Sequence, residues 1–108
     1  SMFNQLPMAE FLQRRESGWT PFILDVRSDS EYQEAHVASC DLQVPHTAVL
    51  SIAEQLPKDS DIVIHCKAGM RSQLAAIELI KAGWDGKNLY NLEGGIIAWN
   101  MAAPEEIV

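Results

Sequence analysis

Apolar and polar positions along the chain alternate between two rhythms, one of a helix with a single buried face and one of a strand covered on both sides. In MAEFLQRRESG (8–18), Met8, Phe11, Leu12 and Arg15 share one face at helical spacing, and Gly18 stands where a helix would stop. FILDV (22–26) is a compact apolar run between Pro21 and the polar RSDSE, the form of a strand buried on both faces, with Asp25 near its carboxyl end. SDSEYQEA (28–35) opens on Ser28 and carries Glu31 three residues on, a capping-box pattern that predicts a short helix. DLQV (41–44) predicts a short strand ended by Pro45. HTAVLSIAEQL (46–56) spaces Val49, Leu50, Ile52, Ala53 and Leu56 as a helix does, until PKDSD breaks it. IVIH (62–65) is a third buried strand. SQLAAIELIKAG (72–83) predicts a helix through Leu74, Ile77, Leu79 and Ile80 with Gly83 as its stop, NLYNL (88–92) a further strand, and GGIIAWNM (94–101) the start of a last helix.

Strands and helices in this alternation predict parallel βα units, hence an α/β fold with helices on both faces of a small sheet. The 108 residues fit a single domain, 1–108, with no internal repeat; Ser1, ahead of Met2, is read as a remnant of a purification tag. Hydrophobic residues make up 47% of the chain and charged residues 21%, enough apolar surface to fold alone. Eight Lys and Arg against fifteen Asp and Glu give a formal charge of -7, which argues against nucleic acid or an anionic membrane as partner. Without a stretch that could span a bilayer or a leader pattern, the expected compartment is the cytoplasm. Two cysteines in that setting are expected to stay reduced, and no metal-ligand spacing or cofactor motif is present, so neither metal nor cofactor is expected.

The chemistry is concentrated in CKAGMRS (66–72), directly after IVIH. Ligands of open α/β sheets collect at the carboxyl ends of strands, and the helix that follows presents free N–H groups and a positive dipole end. A thiol there, Cys66, is made more acidic and more reactive. Gly69 accepts a positive φ, which lets the peptides from Lys67 to Ser72 curl into a cradle of N–H groups. Lys67 and Arg71 add local positive charge to an acidic protein.

These seven residues, with LDVRSDSEYQEAHV (24–37) and NLEGGIIAW (91–99), resemble the rhodanese-like sulfurtransferase family along nearly the whole chain. The resemblance implies a small, mainly parallel five-stranded sheet and a cysteine that accepts a sulfane sulfur as a persulfide and passes it to a nucleophile. It makes Cys66 the sulfur carrier, Arg71 the residue that closes the loop, and Lys67, Ala68, Gly69, Met70 and Ser72 the substrate-binding loop. Asp25, Arg27 and Glu31 are implied as supporting polar contacts. The implied partners are a small anionic sulfur donor such as thiosulfate, or a persulfide-bearing protein, and an acceptor thiol, cyanide or sulfur-carrier protein. Within the family the motifs look most like the domains fused behind adenylyltransferases of molybdopterin and thiamine biosynthesis, and like stand-alone single-domain proteins. Ala35 before His36, and ASC at 38–40, depart from the commonest family pattern.

Competing readings stay open beside these. A phosphatase or arsenate reductase also holds an oxyanion between a cysteine and a looped arginine, but related cell-cycle phosphatases place five residues between them and this chain places four. A non-catalytic interaction module of the family would usually lack the cysteine. Cys40 is read as a small core residue before a resolving thiol. His36 is read as a structural hydrogen-bond donor, His46 and His65 have no identifiable partner and none of the three is read as catalytic, Asp25 is read as an ion-paired partner of Arg27, Glu93, Gly94 and Gly95 as a tight turn, and Trp99 as core by its spacing with Ile96 and Ile97.

Overall fold

The computed structural model describes residues 2–108. Five parallel strands form one sheet: β1 (Asn4–Leu6), β2 (Phe22–Asp25), β3 (Leu42–Gln43), β4 (Ile62–His65) and β5 (Leu89–Leu92), in the order β1-β5-β4-β2-β3. The most apolar run, β4, lies in the middle between β2 and β5, with Leu24 opposite Ile64 on one side and Ile64 opposite Asn91 on the other. Four α-helices, α1 (Met8–Glu16), α2 (Asp29–Glu34), α3 (Arg71–Lys81) and α4 (Gly95–Ala102), connect or follow the strands.

Strand alternation sorts the core into two layers. Leu24, Ile62, Ile64 and Leu89 face Ala75, Ala76 and Leu79 of α3 together with Val49 and Leu56. Their neighbours Ile23, Val63 and Leu92 face Phe11 of α1 and Trp99 of α4, whose rings meet edge to face at 4.9 Å. Both faces of the sheet are therefore covered, as the apolar strands require. Among the described residues no helix is long and apolar enough to cross a membrane.

Two expectations change. Residues 46–55 are a run of 3-10 turns and not an α-helix, with non-helical φ/ψ at Ala48 and Ile52. The apolar spacing of Val49, Ile52, Ala53 and Leu56 suits either helix type; β-branched Thr47, Val49 and Ile52 weaken the α form, and packing against the α3 layer favours the 3-10 turns. Second, Asn4–Leu6 is an edge strand that the sequence pattern does not announce. It has one apolar residue, and its parallel pairing with Tyr90–Leu92 defines it.

At Ala35 the backbone turns extended (φ -165°), and the departing segment pairs with the carboxyl end of the chain through a Val37–Ile107 bridge. Arg15 of α1 grips the Glu106 carboxylate at 2.9 and 2.7 Å, and the Trp99 indole donates to the same carboxylate at 3.0 Å.

Candidate active site

The turn after β4 is built so that N–H groups face in and carbonyls face out. Gly69 has φ +111°, and its N–H donates to the Cys66 Sγ at 3.1 Å. The outward carbonyls of Cys66 and Lys67 accept from the N–H groups of Ile96 and Ile97 at 2.9 and 3.2 Å, so the first turn of α4 holds the loop from behind. Gly95 makes that approach possible, because a Cβ there would run into the Cys66 and Lys67 carbonyls. The paired glycines are a packing device, as the sequence suggested.

Cys66 is only 1% exposed. Burial pushes its thiol up, but the Ser72 hydroxyl and the N–H groups of Ser72, Gly69 and Ala68 outweigh that, and the thiol lies below its ordinary value. Ser72, on the first turn of α3, is fully buried with its Oγ 3.3 Å from Sγ. Lys67 and Ala68 are exposed, and Met70 is 71% exposed beside a cavity of about 350 Å³ lined by Gln5, Gln73, Asn91, Glu93 and residues 68–70.

Arg71 and Glu31 meet each other. The guanidinium makes two bonds to the Glu31 carboxylate, at 2.7 and 2.9 Å, tying α3 to α2 across the mouth of the loop. Arg71 holds the Glu31 carboxyl down to about 2, against partial burial and with help from Ser28 at the cap, and is itself raised. Arg71 is thus half of an ion pair, and the positive charge at the mouth is smaller than its sequence implies. Beneath, Arg27 chelates Asp25 at 2.8–3.1 Å and donates to the carbonyl of Ala35, which fixes the end of β2 against α2.

His65 is fully buried. Its Nδ1 lies 3.3 Å from the Cys66 carbonyl, its Nε2 has no hydrogen-bond partner among the described residues, and Asp25 Oδ2 lies 3.8 Å from that Nε2. Burial, opposed by Asp25, lowers its pKa, so it is neutral near pH 7 and donates from Nδ1. His36 stacks on Tyr32 at 3.9 Å. Cys40 precedes β3, two strands from Cys66 in the sheet order and toward the opposite strand ends, so the two sulfurs are out of bonding reach. Both thiols are free. Burial foremost raises Cys40 to about 11.

Three polar side chains at this site escape sequence reasoning: Gln5, Gln73 and Asn91. Asn91 had a signal, since in NLYNL it takes a sheet-face position between buried Leu89 and the loop, where an amide needs partners. Gln5 had none, because its strand was not visible.

The Rhodanese-like domain family model matches residues 7–102. A protein named sulfurtransferase in Allochromatium vinosum is 32% identical over 98 residues, covering 91% of this chain and 89% of its own. Thiosulfate sulfurtransferase GlpE of Coxiella burnetii is 30% identical over 82 residues, covering 76% of this chain and 74% of its own. Among solved structures, reduced Bacillus anthracis CoADR-RHD superposes with a TM-score of 0.80 at 27% identity, over 99% of this chain and 18% of that one.

Proposed function

Because the chain belongs to the rhodanese-like domain family, we propose that it is a sulfurtransferase that carries a sulfane sulfur on Cys66. The reading rests above all on one observation: the buried Sγ sits where the Gly69 N–H and the start of α3 converge, with Ser72 beside it. In the first half-reaction the Cys66 thiolate attacks the outer sulfur of thiosulfate. A new S–S bond forms, the donor's S–S bond breaks, and sulfite leaves with the electron pair. The terminal sulfur left on Cys66 is an anion, and the N–H groups of the loop are the donors that would stabilise it. In the second half-reaction a nucleophile such as cyanide takes that sulfur, and Cys66 returns as thiolate. No net oxidation occurs.

In this reading Lys67 offers a free cation for an anionic donor, while Arg71, held by Glu31, shapes the mouth more than it charges it. Asp25 and Arg27 fix the floor from which Glu31 projects. The acceptor in the cell is a thiol or a sulfur-carrier protein. Thiosulfate:cyanide transfer tests this: Cys66→Ser is expected to abolish turnover while keeping the fold, and Cys40→Ser to keep most of it. A folded Cys66→Ser protein that still makes thiocyanate would overturn the proposal.

A further inference from the structure

The hydrogen bonds around Cys66 close into a ring, and the ring has a direction. Gly69 begins and ends it. Its N–H donates to Cys66 Sγ (3.1 Å), and Sγ lies 3.3 Å from Ser72 Oγ. Ser72 Oγ meets Asn91 Oδ1 at 2.5 Å, Asn91 Nδ2 donates to Gln5 Oε1 at 2.7 Å, and Gln5 Nε2 donates to Gln73 Oε1 at 3.1 Å. Gln73 Nε2 then donates to the Gly69 carbonyl at 2.8 Å.

A backbone carbonyl can only accept, so Gln73 must present its nitrogen to Gly69 and its oxygen to Gln5. Gln5 must then turn its own oxygen to Asn91, and Asn91 its oxygen to Ser72. The single Ser72 hydrogen is thereby drawn to Asn91, and the lone pairs of Ser72 face the sulfur. That arrangement accepts a hydrogen bond from a thiol and offers none to a thiolate. The Ser72 hydroxyl lowers the Cys66 thiol only when its hydrogen swings to Sγ, and that swing leaves the 1%-exposed Asn91 Oδ1 without its donor.

We propose that Asn91, oriented by Gln5 and Gln73, is a positioning residue that competes with Cys66 for the Ser72 hydroxyl hydrogen and so sets how readily the cysteine gives up its proton. The inference deepens the sulfur-carrier reading by naming what opposes the ionisation of Cys66. Because all bonds run in one sense, each strengthens the next. The same amides wall the cavity beside the loop.

The test reads the thiol directly. In a Cys40→Ser background, so that one thiol reports, the pH dependence of iodoacetamide alkylation gives the Cys66 pKa. The charged and titratable groups around the site are Asp25, Arg27, Glu31, His65, Lys67, Arg71 and Glu93, and none is altered. Asn91→Leu keeps the branched shape of the side chain and removes the competing acceptor. It is expected to lower the Cys66 pKa by about one unit, close to tenfold more thiolate below that pH. In a Ser72→Ala background the same change is expected to have little effect, a non-additivity that a merely structural role would not produce. An unchanged or raised pKa, or an equal shift without Ser72, would overturn the inference. Should Asn91→Leu fail to fold, Gln5→Leu carries the test: Gln5 is exposed, and without it the Asn91 amide is free to turn its nitrogen to Ser72, so the pKa should fall in the same direction, and no shift in that folded variant is the contrary result. Alkylation needs no sulfur donor, so a protein that transfers no sulfur would fail the proposed function and leave this measurement standing.

Discussion

At the scale of single residues the two cysteines separate cleanly. Cys40 is the more exposed, yet burial among apolar neighbours and the nearby Asp25 charge raise it to about 11, whereas the N–H groups and Ser72 bring Cys66 below its ordinary value. Reactivity follows thiolate content, so a small alkylating agent at pH 8 is expected to modify Cys66 first, as read by peptide mass mapping. Preferential labelling of Cys40 would mean that access to the buried loop outweighs its chemistry. Gly95 is equally specific: Gly95→Ala drives a methyl into two loop carbonyls, and the variant is expected to lose sulfur transfer, and thermal stability with it, measured by activity and Tm. The placement of Cys66 at the strand end and of the glycines around it was legible in the sequence, because a positive-φ turn and a close backbone approach call for glycine. Asn91, Gln5 and Gln73 were not, since an amide's role is set by the partner it meets and that partner is remote in the chain.

At the scale of elements, the short helix α2 earns its place through the Arg71–Glu31 pair that ties it to α3. Glu31 is depressed in the fold, to about 2 from 4.5, so its contribution is complete above about pH 4.5 and fades as pH falls toward 2. Glu31→Gln is therefore expected to destabilise the protein by about 1 kcal/mol at pH 7 and to converge with the parent near pH 2, as followed by urea denaturation across that range. A constant difference at every pH would assign the loss to packing. The capping box that begins α2 was readable from Ser28 and Glu31, and both of its bonds are present. What the pattern could not give is that the same Glu31 carboxylate serves Ser28 and Arg71 at once. The run 46–55 misled for a related reason: its apolar spacing satisfies both helix types, and only packing against α3 selects the 3-10 form.

At the scale of the whole molecule, the end of the chain closes the layer made by α1 and α4. Glu106 receives both Arg15 and the Trp99 indole, and its loss leaves the buried indole N–H and the partly buried guanidinium without that partner. Glu106→Ala is expected to cost about 1–3 kcal/mol and lower Tm by several degrees, with the sulfur-transfer rate at low temperature little changed, because the loop lies at the other end of α4. The α/β class followed from alternating periods, and the strand count from the family resemblance. The edge strand and the terminal clasp were invisible because both are made by pairing distant segments. Whether Cys66 carries sulfur is read by intact-protein mass spectrometry after incubation with thiosulfate and gel filtration. One added sulfur atom is expected on the parent and on Cys40→Ser, removed by cyanide and absent from Cys66→Ser; a folded parent that gains no sulfur, or a Cys66→Ser protein that gains as much, would overturn a sulfur-carrying Cys66.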